Sequence, residues 1–494
     1  MREKWLISIV ILGIMLILFG IGNWGSFWKQ TTGTDSGKIL PPGQSYTSER
    51  NPNHKVWPIA YQEGSSREQR RSHGVPGGTS QASPPARPYE PRLASATAAR
   101  TPHPASPERL ASLLKASKWG EALALYGQVY PSPGRQGVKE LRLICQGLLK
   151  DALKGKDLFD RIQAAGALVE GGDRSSFGFL EEIRSAEDPL IRASVYQEMV
   201  EILGDKGDPM VLFSLQKGLS DKDDMVRIQL MEALKRRKAK EASVLPLLEK
   251  ALKDGNFAVR SAAAEALGDL AHPSAQALLE KAVRDEHRYV RLSAMSSLAR
   301  RGIKTHLQEL SQATKDQDPG VKERAAGLIG RSRSHSFSPL LKGMLKEEKR
   351  DDLLRITLAG SLAELGDQGG IPLLEKSLHH PKSHLRLSTV KALGRSHQKS
   401  SLPLLRQALK DEDPSIRTFA VIYLGEMEDR EALQLLTQQL KDKDPWVRMS
   451  SAQVLGEIGN AALIGPLHEL LQKEEDPGVK VFTLRALSRI LRKG

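Results

Sequence analysis

A single cysteine, Cys145, is present in 494 residues. One thiol excludes an internal disulfide and a zinc site built on cysteines, and it is compatible with an exported domain. Cys145 lies in the apolar helical context Leu143-Ile144-Cys145, so it reads as a buried structural thiol and not as a nucleophile, which would need a partner. Also missing are a phosphate-binding glycine loop, a zincin helix and a nucleophile elbow. Glycine-rich spots such as Gly369-Gly370 fall at turns between helices. No strand-like alternation competes with the helical spacing. These absences leave catalysis little to stand on and point to an all-α chain that is no enzyme and needs no cofactor.

What the chain has in abundance is repetition. From residue 157 to the end one phrase recurs eleven times, best read in Asp411-Glu412-Asp413-Pro414-Ser415-Ile416-Arg417 running on to Leu424-Gly425. Its basic residue stands at Arg161, Arg192, Arg227, Arg260, Arg291, Lys322, Arg355, Arg386, Arg417, Arg448 and Lys480, at steps of 31 to 35 residues. A fixed period in that range means a solenoid, whose units bury their apolar faces by stacking on one another.

Each unit reads as two helices. Asp413-Pro414, Asp444-Pro445, Asp318-Pro319 and Asp476-Pro477 set an N-cap acceptor directly before a proline at the first helical position, where the missing N–H costs nothing. Counting from the basic residue, position −1 is aliphatic (Ile191, Val226, Val259, Ile416, Val447) and +7 is Leu, Met or Ile. Positions −1, +3, +4 and +7 share one helical face and form the buried stripe. Small residues at +3 and +8, such as Ala263 with Gly268 and Ala420 with Gly425, let neighbouring helices approach closely. First helices carry proline in their opening turn, as in Leu402-Pro403-Leu404-Leu405.

The phrase resembles the short HEAT-like repeats of about 31 residues that include the phycobilisome-lyase type, with their D-x-x-V-R-x-x-A-x-x-x-L-G core. The resemblance covers 157–494, and its departures are confined to single units: Lys322 and Lys480 replace arginine, and Lys235 stands where the glycine is expected. It implies a right-handed α-solenoid of about eleven helix pairs whose second helices line a concave surface. It does not imply one activity. The iron site of deoxyhypusine hydroxylase, a HEAT-like enzyme, needs four His-Glu pairs at repeat spacing, and this chain has one, His468-Glu469. Bilin lyases share the repeat, yet an exported, tethered chain is a poor place for pigment attachment. A lyase or hydroxylase on this scaffold stays as the enzymatic alternative.

Residues 1–29 read as an N-terminal signal anchor. Leu6 to Phe19 is apolar apart from Ser8 and Gly13, and with Gly20-Ile21-Gly22 it reaches about seventeen residues, the short end of what spans a bilayer. Trp5 stands at one end and Trp24, Phe27 and Trp28 at the other, matching two interfaces. Arg2 and Lys4 before the segment, against Lys29 and Lys38 after it, favour a cytoplasmic N-terminus, with the repeats on the periplasmic or extracellular side. A cleaved secretory signal, with Gly20 and Gly22 before the cut, is the rival reading and would make the protein secreted. Residues 30–105 form a disordered Pro/Ser/Gly-rich linker, broken by Pro41-Pro42-Gly43, Pro84-Pro85 and Pro102-His103-Pro104. As a flexible coil it would reach roughly 45–50 Å. Residues 106–156 are helical but off the period; Trp119-Gly120-Glu121-Ala122-Leu123 resembles part of a tetratricopeptide unit. They read as an N-terminal cap, or else as a separate peptide-binding element.

The recurring cations Arg192, Arg227, Arg260, Arg291, Arg355, Arg386, Arg417 and Arg448 read as a structural ladder pairing with aspartates along the array. Function is expected where units differ. Position −2 varies freely, which suggests exposure and makes Tyr289 and Trp446 candidate binding anchors, although packing onto the neighbouring unit suits each equally. Positions +2, +5 and +9 share the polar face of the second helix. There Arg236, Arg300, Arg324, Arg331, Lys391 and Arg395 make a basic stretch over the middle units, with acidic positions toward both ends. His379, His380 and His384 sit around one turn but lack carboxylate or thiolate partners in register, so no metal site is assigned.

A net charge of +14 raises nucleic acid as a polyanionic partner. Twelve of the Lys and Arg, against six Asp and Glu, lie in the first 105 residues, and an exported location would deny access to nucleic acid. The expectation is therefore a membrane-tethered scaffold that binds a protein partner, through an acidic or extended segment, in the concave groove.

Overall fold

The computed structural model describes residues 105–131, 135–203, 207–236 and 242–493. The expected anchor at 1–29 and all but the end of the expected linker lie outside the described residues. Among those described, the chain is built from α-helices and short 3-10 turns, without strands. No described helix is long and apolar enough to cross a membrane.

The caps form as the sequence chemistry dictates. Asp413 accepts from the backbone N–H of Ser415 at 2.9 Å and opens the helix Pro414–Glu426, which buries Ile416, Phe419, Ala420, Val421 and Leu424. Asp188, Asp318 and Asp444 cap the helices Pro189–Ile202, Pro319–Arg331 and Pro445–Ile458 in the same way. Two histidines do the work of aspartate: His272 and His287 accept through Nδ1 from Ser274 and Tyr289 at 3.2 and 3.3 Å. Many first helices are short and entered through a 3-10 turn, as Lys399–Ser401 leads into Leu402–Ala408.

Second helices stack on second helices, and the glycines at +8 set how closely. A Cβ built on Gly394 would overlap the Tyr423 ring of the next unit, and one on Gly456 would lie 2.6 Å from Ala486 Cα. Hydrogen at those positions lets large apolar groups of the following helix sit directly on the backbone.

The array closes on itself. The last helix, Pro477–Lys493, packs on Leu158–Glu170, the second helix of the first unit, so the eleven second helices form an unbroken circuit. Phe159 lies against Phe482 and Trp446 with ring centroids 6.5 and 6.4 Å apart. One apolar core runs across the seam, joining Leu141, Ile144 and Leu149 to Leu467, Leu487 and Leu491. The Arg142 guanidinium donates to the Leu491 carbonyl. The helix Arg135–Ala152, assigned by its sequence to the cap, thus packs as the first helix of the first unit. Pro107–Lys115 and Trp119–Val129 cover the joint: Tyr126 meets the His468 ring edge-on at 5.3 Å, and Gln472 donates to the Leu123 carbonyl at 3.4 Å. Each end of the array therefore buries the apolar face of the other, which an open solenoid must cover with polar caps.

Candidate partner-binding surface

The recurring arginines face along the array. Arg417 donates through Nε and Nη2 to Asp442 of the next unit at 2.7 and 2.6 Å, and through Nη1 to the carbonyls of Asp411 and Glu412. Arg192–Asp221, Arg227–Asp254, Arg260–Asp285, Arg386–Asp411 and Arg448–Glu474 repeat the fork at 2.7–2.8 Å. Burial alone would raise the carboxyls of Asp221, Asp285 and Asp442, but the facing guanidinium holds each below its usual range. Two members differ. The hydrogen bonds of Arg291 go to the carbonyls of Asp285 and Glu286, and Arg355 lies 3.5 Å from Asp352 within its own turn.

Side chains at +2, +5 and +9 point inward, as shown by residues two units apart that meet past the helix between them. Arg324 donates to Glu265 at 2.5 Å although the helix Arg288–Arg300 intervenes, which requires the second helices to lie on the concave side. Glu265 is buried and gathers Lys235 at 3.3 Å, Arg324 at 2.5 Å and Arg331 at 3.9 Å. Arg300 donates to the Glu265 carbonyl at 2.8 Å and pairs with Asp269 at 3.4 Å. Burial would push the Glu265 carboxyl up; the four cations hold it well below the usual range. Burial also lowers Arg300. The structure therefore brings Arg300, Arg324 and Arg331 together around a carboxylate. Arg236 ends the helix Asp224–Arg236, and its side chain lies outside the described residues.

Lys391 and Arg395 belong to the helix Ser383–Ser396, farther along the array. Lys391 is buried over the Phe419 ring, 4.7 Å from its centroid, and burial followed by the neighbouring Arg395 lowers its ammonium to about 7. Arg395 pairs with Glu364 at 3.3 Å. Glu323 faces the same region, where burial and the charge of Asp351 push it up to about 7.

The freely varying −2 position is not fully exposed. Tyr289 is half-buried against Phe257 and His287, at 6.1 and 5.4 Å, and Trp446 is half-buried against Phe159. Position −2 sits at the start of the second helix, where rings of other units or of its own turn pack against it.

Acidic partners at +5, +6 and +9 decide the inner face, and scanning the sequence for cations alone overlooks them. Position +5 is Gly166, Ser296, Gly327 and Gly360 in four units and Glu232, Glu265, Lys391 and Arg485 in four others; a long charged residue where other units are small is the available signal. The second inner cluster lies at the seam, where Arg485 sits between Glu170 and Glu198, at 2.8 Å from each, and Arg489 pairs with Glu170 at 2.6 Å.

His379 meets Gln407 at 3.1 Å and His380 lies 3.6 Å from Asp352. Among the described residues no group of three or more His, Cys, Asp or Glu is placed to hold a metal ion. Cys145 is fully buried, and burial pushes its thiol up to about 12.

The family model described as HEAT repeats matches residues 192–268, 212–299, 275–355, 347–417 and 402–488, together more than half of the chain. No curated protein matches it. Among solved structures, human deoxyhypusine hydroxylase in complex with glycerol is 20% identical, covering 59% of this chain and 98% of its own, with a TM-score of 0.28. The complex of CpcE and CpcF of phycocyanin lyase from Nostoc sp. is 19% identical over 56% and 95% of the two chains, with a TM-score of 0.28. A Kap95p structure with RanGDP is 14% identical over 76% and 57%, with a TM-score of 0.30. At these identities and scores the likenesses bear on neither activity nor partner.

Proposed function

The chain belongs to the HEAT-repeat family, and on that premise we propose that it is a membrane-tethered scaffold that holds an acidic, extended segment of a partner protein against its inner face. The observation that supports this most is the convergence of Lys235, Arg300, Arg324 and Arg331, from three second helices, on the Glu265 of a fourth on the concave side. Cations gathered there from separate units meet a partner that runs along the array, crossing several helices. Tethering rests on the apolar run from Leu6 to Phe19 with aromatics at both ends.

Cross-linking in intact cells followed by mass spectrometry, with a reporter fused after Gly494, tests both halves. The expected result is cross-links from the second helices to an Asp/Glu-rich segment of one partner, and a reporter active on the exported side. Cross-links confined to first helices, or a cytoplasmic reporter on a full chain, would sink the corresponding half.

A further inference from the structure

Resting on the scaffold reading above, we propose that the nest of Lys235, Arg300, Arg324 and Arg331 around Glu265 is the point at which one carboxylate side chain of the partner segment is bound. The nest holds more positive charge than it neutralises. Its four cations face three carboxylates: Glu265 in the middle, Glu232 at 2.6 Å from Lys235, and Asp269 at 3.4 Å from Arg300. One positive charge is in excess; the exposed Arg333 near Arg300 and Glu323 beside Arg324 add one group of each sign and leave that surplus unchanged.

Its donors are also underused. The Nε atoms of Arg300, Arg324 and Arg331 are buried and find no hydrogen-bond partner. Arg331 stands 3.9 Å from Glu265, outside hydrogen-bond range, so its fork is available to a second acceptor. A guanidinium fork matches a carboxylate in two parallel bonds, which favours an oxyanion ligand over a neutral polar one. The side chains stay reachable from the inner face: Arg324 and Arg331 retain 29% and 24% exposure while Glu265 retains 8%.

Glu265 is thus an internal stand-in. It keeps like charges together without a partner, and its fixed position leaves room for one more carboxylate beside Arg324 and Arg331. The surplus of one charge matches a single carboxylate. A phosphomonoester carries about −1.5 to −2 near neutrality and would overcompensate the nest.

The test uses the full-length protein in detergent and a fluorescent decaglutamate peptide, titrated by anisotropy at low salt. The wild type is expected to bind. Arg331→Gln, which removes a group with little internal bonding, is expected to weaken binding about tenfold. Glu265→Gln removes the internal competitor and is expected to tighten binding several-fold, a gain that misfolding cannot imitate. Wild-type binding left unchanged by both substitutions would overturn the nest while leaving the acidic-partner reading standing. Failure of the wild type to bind would overturn both. A phosphoserine peptide of equal length that binds tighter than decaglutamate would overturn the carboxylate assignment.

Discussion

Arg485, in the last helix, donates to Glu198 at 3.0 Å, 287 positions earlier in the chain. The same guanidinium holds Glu170 at 2.8 Å, so one arginine ties the end of the array to its first two repeat units. Glu170 has further help from Arg489 at 2.6 Å and Arg492 at 3.7 Å. Burial works against both carboxyls. The arginines nevertheless pull Glu170 down to about 2, whereas in fully buried Glu198 desolvation prevails over Arg485 and raises the carboxyl to about 7.

The two carboxyls give opposite pH dependences. Glu198 has a folded pKa above its unfolded value, so its contribution is complete below about 4.5 and lost as pH rises to about 7. Glu170 is depressed, so its contribution is complete above about 4.5 and lost as pH falls toward 2. Between pH 5 and 7 Glu198 shares the fall with Glu323 and Asp160, which are also raised to about 7, so the variant isolates its part. Glu198→Gln, which copies the protonated form, should remove a loss on the order of 1–3 kcal/mol across that window. Urea midpoints at pH 5, 6 and 7 measure it; parallel wild-type and variant profiles would contradict the assignment.

The ladder arginines are not equivalent. Arg417 is buried, with a two-bond fork to Asp442 and two carbonyl acceptors, whereas the hydrogen bonds of Arg291 go to carbonyls. Lysine cannot make the fork, so Arg417→Lys should cost about 2–4 kcal/mol and Arg291→Lys less than about 1. Chemical denaturation of the two variants side by side decides this, and equal losses would refute it.

Gly394 has no room for a side chain. A Cβ there overlaps the ring of the half-buried Tyr423. Gly394→Ala should lower stability by about 1–3 kcal/mol, and Tyr423→Leu in the same molecule should return part of the loss. Strict additivity of the two changes in thermal unfolding would show that they do not meet.

Removing the first three described helices uncovers the seam. Leu467, Leu487 and Leu491 share their core with Leu141, Ile144 and Leu149. A fragment of residues 157–494 should therefore bind a hydrophobic dye and self-associate, while a 105–494 fragment should not. Equal elution and dye response for the two would mean that the closure contributes little.

Much of the fold is legible in the residues. The Asp-Pro pairs, the aliphatic at −1 and the small residue at +8 predict helices that the structure places at Pro319–Arg331, Pro414–Glu426 and Pro445–Ile458. Local chemistry suffices there, because a cap and an apolar stripe act within one unit or between neighbours. The candidate site is legible by half. Arg300, Arg324 and Arg331 stand out as cations on one helical face, but Glu265, which draws them together, does not stand out in a single unit. Tyr289 and Trp446 look free when position −2 is compared across units, because that comparison says nothing of the neighbour that covers them.

The sequence alone determined the period, the two-helix unit and the direction of each helix face, since all three arise from contacts within about one repeat. It also determined which faces carry charge. The tertiary structure decided that the ends meet, that Arg485 reaches Glu170 and Glu198, and that four cations share Glu265. Those contacts depend on curvature, a small rotation per unit summed over eleven units, and no single repeat encodes that sum.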